Sequence, residues 1–76
     1  MAFGHARLIW ERMDEYERAY LSLVADDPEG WAYVPITAAY VLCDTGLAKM
    51  VEDLGLAGAV TLSPLGEIVI ADGRPN

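Results

Sequence analysis

Apolar residues recur at three- and four-residue spacing over the first third of the chain, with charged residues mostly between them. The members of this stripe are Ile9, Met13, Tyr16, Tyr20 and Leu23. The period is that of an amphipathic helix, and it predicts one long helix over about residues 5–25. The segment DDPEG (26–30) ends this helix, because a proline disfavours helical geometry in the residue before it.

The middle of the chain contains two further helical patterns. Residues 36–43 carry no charge and are apolar around most of the helical circumference, which is typical of a buried helix. Residues 46–54 place apolar side chains at positions i, i+3, i+4 and i+7, and Gly55 provides a natural stop. The uncharged residues 31–34 before them are either a first β-strand or a packed connector.

Two apolar runs rich in β-branched residues complete the chain. They are AVTL (59–62) and EIVIA (67–71), and the four residues between them, SPLG (63–66), include proline and glycine. This arrangement is typical of a β-hairpin. The sequence therefore predicts a single α+β domain over residues 1–76, mostly α, in which three helices are followed by a C-terminal β-hairpin.

This predicted order of elements resembles a winged helix-turn-helix domain over about residues 31–73. The helix pair would be PITAAYVLCDTGLAKMVEDLGLAG and the wing AVTLSPLGEIVIADG, in which LSPLGE is similar to the LTxxG segment near the wing of several bacterial regulators. The resemblance implies a winged-helix-like fold. It also implies a DNA-binding regulator that reads base edges and phosphates with the exposed face of its third helix.

The charge distribution argues against such a role. The chain has 12 acidic and 5 basic residues, a net charge of −7 and a pI near 4.3. The predicted third helix exposes Lys49 together with Glu52 and Asp53, and Glu67 follows the wing tip. Because nucleic-acid affinity depends on clustered lysine and arginine, we expect neither nucleic acid nor an anionic membrane as the partner. A basic protein suits this charge better.

Candidate catalytic and metal-binding groups are sparse. Cys43 and His5 could form a nucleophile and a base, but Cys43 lies in the most apolar predicted helix, where a thiolate is disfavoured. One histidine and one cysteine do not make a metal cluster. The acids Asp26, Asp27 and Glu29 lack the spacing of a calcium-binding loop. We therefore expect no enzymatic activity, no cofactor and no metal.

The sequence also predicts a soluble, cytoplasmic protein. The longest uncharged stretch is residues 30–43, which includes a proline, whereas a membrane span needs about 20 apolar residues. Charged residues appear near the N-terminus before any apolar run, so we expect no signal peptide. The single cysteine cannot form an internal disulfide, which suits a reducing compartment.

Aromatic residues close to acidic ones indicate a partner-binding surface, because tryptophan and tyrosine contribute strongly to interfaces. The alternative is that the two tryptophans fill the small core. The candidate partner-binding residues are Trp10, Glu11, Asp14, Glu15, Trp31, Tyr33, Glu52 and Asp53. A homodimer is also expected through the outer strand of the predicted hairpin, which is apolar on both sides.

These features favour a non-enzymatic acidic binding protein that docks a basic, nucleic-acid-binding partner. Its size and charge are similar to those of inhibitors encoded by phages and mobile elements, such as anti-CRISPR proteins and antitoxins. One alternative is a winged-helix transcriptional regulator, in which Lys49, Arg74 and the arginines of the first helix would converge on one face. Another is a small assembly subunit whose hairpin completes a larger complex.

Overall fold

The computed structural model describes residues 2–75. Over that range it contains four α-helices, one π-helix and a three-stranded antiparallel sheet with strand order β1-β3-β2. In chain order the elements are α1 (Ala2–Arg12), α2 (Glu15–Asp26), β1 (Trp31–Pro35), α3 (Ile36–Asp44), β2 (Ala48–Asp53), β3 (Ala57–Leu62), α4 (Pro64–Ile68) and the π-helix (Val69–Gly73). The fold is α+β, but the predicted order of three helices and a C-terminal hairpin, and with it the winged-helix-like architecture, is wrong.

The predicted helix over residues 5–25 is two helices, α1 and α2, separated at residues 13–14. Asp14 caps α2, and its carboxylate accepts a hydrogen bond from the Glu17 N–H at 2.7 Å. In return the Glu17 carboxylate accepts one from the Asp14 N–H at 3.0 Å. This capping box satisfies backbone donors that are otherwise free at a helix start. The predicted apolar stripe does not continue as one buried face, because Tyr16 and Leu23 of α2 are 69% and 51% exposed.

Arg18 of α2 also stabilises the junction between α1 and α2. Its guanidinium donates to the carbonyl oxygens of Trp10 and Glu11, at 2.8 and 2.6 Å. The last carbonyl groups of a helix have no partner within the helix, and an arginine supplies several donors in a fixed geometry. The charged residues of this region therefore specify the junction between α1 and α2.

The predicted third helix over residues 46–54 is strand β2, which pairs with β3. The pairing register shifts between Met50 and Glu52, where Val51 is the extra residue. Such a bulge interrupts the two-residue alternation of a strand, and the buried Leu47 lies in the turn before β2. Together they give a spacing that coincides with a helical pattern over a short window.

The second half of the predicted hairpin is also wrong. Residues 59–62 do form a strand as part of β3, but residues 64–73 are helical. Ser63 is the N-cap of α4, since its hydroxyl accepts a hydrogen bond from the Gly66 N–H at 3.0 Å, and Pro64 follows in the first turn. Serine followed by proline is a helix-start signal, and here it outweighs the β-branched residues that follow.

This correction removes the element on which the homodimer prediction depended. Residues 67–71 belong to α4 and the π-helix, so they offer no outer strand for pairing. The edges of the sheet are β1 and β2.

The hydrophobic core lies between the sheet and the helices α2 and α3, with the π-helix at its side. Its largest fully buried side chains are Leu21, Val24, Val34, Leu42, Leu47, Val60 and Val69. The helix predicted over residues 36–43 is confirmed as α3, but it is buried only at Ala39 and Leu42, while Tyr40 and Val41 are exposed. Of the two alternatives for residues 31–34, the structure has the strand, β1. Helix α1 packs mainly against the π-helix. Within residues 2–75, no helix combines the length and the apolar character that crossing a bilayer requires.

Candidate partner-binding surface

Helices α2 and α3 pack against one face of the sheet, and the opposite face is exposed. Strand pairing places Trp31 opposite Thr61 and Tyr33 opposite Ala59. On the other side of β3, Lys49 is opposite Thr61. Because side chains alternate along a strand, these residues share the face that points away from the core. We call it the open face and define it by Trp31, Tyr33, Pro35, Lys49, Glu52, Ala57, Ala59 and Thr61.

Two aromatic rings dominate the β1 side of the open face. The ring centroids of Trp31 and Tyr33 are 5.0 Å apart and their planes are at 88°, an edge-to-face arrangement that aromatic pairs prefer. Tyr33 is 54% exposed and Trp31 is half-buried. Because each ring restrains the other, the side chains of Trp31 and Tyr33 would lose little further entropy when a partner binds.

Small side chains form the middle of the open face. Ala57, Ala59 and Thr61 lie on the central strand β3 between the larger residues of β1 and β2. Adjacent strands are about 4.8 Å apart, so the two edge strands bound a trough about 10 Å wide. At its centre Ala59 is only 2% exposed, because Tyr33 and Glu52 stand on either side of it.

Exposed apolar side chains also occur beyond the Pro35 end of the sheet. The turn between β2 and β3 carries Leu54 and Leu56, which are 50% and 91% exposed. The Leu54 N–H donates to the Ala57 carbonyl oxygen at 2.9 Å, which holds this turn to the sheet. Contiguous exposed apolar residues with a polar rim are typical of interaction sites.

Two acidic residues lie beside the aromatic pair, at the end of the sheet opposite to Pro35. A cavity of about 300 Å³ is lined by Asp27, Glu29, Trp31, Ala32 and Tyr33. The Asp27 carboxylate accepts a hydrogen bond from the Glu29 N–H at 2.7 Å, which orders the turn before β1. Acidic groups next to aromatic rings form a suitable environment for a cationic group.

The structure brings together three of the eight predicted partner-binding residues. Trp31 and Tyr33 form the aromatic pair, and Glu52 lies across Ala59 from Tyr33. Asp53 follows Glu52 in the chain but belongs to the opposite face of β2, where its carboxylate accepts a hydrogen bond from the Tyr40 hydroxyl of α3.

The other four lie at the junction of α1 and α2, in the helical layer. Trp10 is half-buried and packs against the core. Asp14 is the N-cap of α2, and Glu15 is exposed in the first turn. Glu11 forms an exposed ion pair with Arg7 at 3.6 Å. Apart from Glu15, each of these side chains has a structural contact within the chain.

Sequence reasoning missed the residues that complete the surface. The sequence pattern assigns Asp27 and Glu29 only to the end of a helix. The signal that could have located them is the alternation in WAYVP (31–35), which predicts a strand with its aromatic residues on one face. The turn immediately before such a strand lies beside the first of those aromatic residues.

Asp53 and Tyr40 form a hydrogen bond that perturbs both groups. The Tyr40 hydroxyl, followed by the Gly55 N–H at 2.9 Å, lowers the pKa of the Asp53 carboxyl from its ordinary value. The same bond and the negative charge of Asp53 raise the pKa of the Tyr40 hydroxyl. The pair links α3 to the end of β2 and so supports the turn that carries the exposed leucines.

We expect the Tyr40–Asp53 pair to make the stability of the protein depend on pH in the acidic range. Because the pKa of Asp53 is lowered on folding from 3.8, its contribution is present above that value and is lost as the pH falls through the folded-state pKa. Tyr40→Phe should flatten this acid limb, measured by urea unfolding between about pH 2 and pH 7. The control is Tyr16→Phe, at an exposed tyrosine of α2. An unchanged acid limb in Tyr40→Phe would contradict the prediction.

The structure gives little support to the candidate metal-binding and nucleophilic residues. Among the residues that the structure describes, no three His, Cys, Asp or Glu side chains come together in a way that could hold a metal ion. Burial raises the pKa of the Cys43 thiol, and the charge of Asp44 raises it further. A thiol that stays protonated at neutral pH is a poor nucleophile.

The chain matches no protein-family model, no curated protein and no solved structure. The resemblance to winged helix-turn-helix domains stays a prediction as far as family membership is concerned.

Proposed function

We propose that this protein is a non-enzymatic binding module that docks a basic polypeptide on its open face. The observation that carries the proposal is the Trp31–Tyr33 pair, with Tyr33 exposed, beside Asp27 and Glu29. Aromatic residues provide large contact areas with few rotatable bonds, and hot spots of interfaces are rich in them. The acidic groups at the margin then select the charge of the partner.

The net charge supports a basic partner rather than a second copy of the chain. Two copies would each carry −7 and would repel one another as they approached. On the open face Lys49 is a cation and Glu52 an anion, and the acids Asp27 and Glu29 lie beside this face in the turn before β1. A basic polypeptide would be attracted by this field and oriented before contact.

A strongly basic surface is typical of proteins that bind nucleic acids. Covering such a surface with an acidic module excludes the nucleic acid, because both compete for the same lysine and arginine side chains. We therefore propose an inhibitory role toward a nucleic-acid-binding protein, as the charge of the sequence predicts.

The test is a selection from a random peptide display library against the full chain, with Tyr33→Ala as the comparison bait. We expect the selected peptides to be enriched in arginine and lysine and to bind less tightly as ionic strength rises. Tyr33→Ala should weaken the best peptide by about ten-fold. Its large exposure makes the variant compatible with the fold.

The matched control is Tyr16→Ala, which removes an exposed tyrosine from α2 and should change affinity by less than about two-fold. Selection of neutral or acidic peptides would refute the proposal. So would basic peptides that bind wild type and Tyr33→Ala equally, because the attraction would then come from net charge and not from the open face.

A further inference from the structure

Strand β1 is an edge strand, and among residues 2–75 no strand pairs with its outer side. The Ile36 N–H donates to the Leu56 carbonyl oxygen at 3.0 Å, which shows that the backbone groups of even-numbered residues point toward β3. In an antiparallel ladder the backbone groups of successive residues point to opposite sides. The N–H and C=O groups of Trp31 and Tyr33 therefore point outward from the sheet.

The two edges of the sheet differ in how they resist further pairing. β2 carries the bulge between Met50 and Glu52, and Lys49 lies on it. Bulges and lysines are features that prevent edge strands from pairing with other chains. β1 has regular pairing along its length, and its proline, Pro35, is its last residue. The first four residues of β1 are thus open to an added strand.

The acidic and aromatic cavity lies along this same edge, since β1 contributes Trp31, Ala32 and Tyr33 to its lining. The neighbouring Asp26 is already bound by Arg74 of this chain, with a nitrogen–oxygen distance of 3.1 Å. Asp27 and Glu29 are the acids that line the cavity. A guanidinium group can stack on an aromatic ring and donate hydrogen bonds to carboxylates in its plane, which a lysine ammonium does less well.

We infer that a partner segment in extended conformation adds to β1 as a fourth strand and places an arginine side chain in this cavity. The inference rests on the proposed function, which supplies the basic partner. Main-chain hydrogen bonds to Trp31 and Tyr33 would provide affinity, and the cavity would provide selectivity for arginine at alternate positions of the segment.

The test uses a synthetic heptapeptide in which threonine and arginine alternate, beginning and ending with threonine. Its ends are acetylated and amidated, and it is titrated into the full chain and followed by NMR. Two N-methylated versions block the backbone N–H groups of either the arginines or the threonines. In an added strand only one of these two sets points toward β1. We therefore expect one version to lose about ten-fold in affinity and the other to bind nearly as well as the parent.

Citrulline in place of the central arginine keeps the shape and removes the charge. We expect about ten-fold weaker binding, and we expect Glu29→Gln to weaken the arginine peptide but not the citrulline peptide. The matched control is Glu67→Gln, which removes the same charge from an exposed position in α4. An equal effect of the two glutamine variants would overturn the placement of arginine in the cavity.

The outcomes separate this inference from the proposed function. Equal losses in the two N-methylated peptides, with binding still weakened by Tyr33→Ala, would overturn the added strand and leave the proposed function standing. Binding that Tyr33→Ala does not weaken would contradict the proposed function itself.

Discussion

Gly66→Ala is expected to destabilise the protein by at least about 3 kcal/mol. A Cβ atom at this buried position of α4 would lie 1.9 Å from the Leu47 carbonyl oxygen and 3.0 Å from its carbonyl carbon. Both are backbone atoms, so no side-chain rotation can relieve the overlap. Domains of this length have a total stability of about 4–11 kcal/mol, so the substitution would remove a large part of it.

The Leu47 carbonyl group cannot move away without further loss. Its oxygen accepts a hydrogen bond from the Ser63 N–H at 3.2 Å. The Ser63 hydroxyl in turn donates to the Gly46 carbonyl oxygen and accepts from the Gly66 N–H. Moving α4 outward would therefore break the N-cap of α4 and its connection to the turn before β2.

The measurement is urea unfolding of wild type and variant, with Gly4→Ala as the matched control. Gly4 is exposed in α1, and a Cβ there meets nothing within 4 Å. Alanine in place of glycine within a helix should stabilise it by about 0.5–1 kcal/mol. If the free energy of unfolding of Gly66→Ala lies within about 1 kcal/mol of the wild-type value, the close approach of α4 to Leu47 is contradicted.

The structural position of Gly66 illustrates which parts of the fold were predictable from the sequence. Local signals predict the helix α3 and the apolar run of β3. The segment SPLG was interpreted as a turn, because serine, proline and glycine are common in turns and in helix starts alike. What decides between them is the approach of this segment to Leu47, a long-range contact with no local signal.

Some residues of the proposed binding surface were predictable, but their arrangement was not. Trp31, Tyr33 and Glu52 stand out in the sequence as aromatic and acidic residues of a chain with few cations. Their grouping depends on the register that aligns Tyr33, Ala59 and Glu52 across three strands. A helical interpretation of residues 46–54 conceals this alignment, and the bulge in β2 is what favoured that interpretation.

Gly73→Ala is expected to destabilise the protein by about 2–3 kcal/mol, with the effect concentrated in α1. A Cβ at Gly73 would lie 2.4 Å from the Ala6 carbonyl oxygen and 3.2 Å from the Trp10 Cβ. Since α1 packs mainly against the π-helix, the strain should displace α1 more than the sheet. Hydrogen exchange should show lost protection of the α1 amides, while the amides of β3 keep most of theirs.

The same variant also tests which elements form the binding surface. The open face is built on β1, β2 and β3, and α2 and α3 support it from behind. Displacing α1 should therefore leave the affinity for the arginine–threonine heptapeptide within about two-fold of wild type, because Trp31 and Tyr33 keep their positions. A loss near that of Tyr33→Ala would instead assign Trp10 and Glu11 to the interface, since α1 carries both and the sheet carries neither.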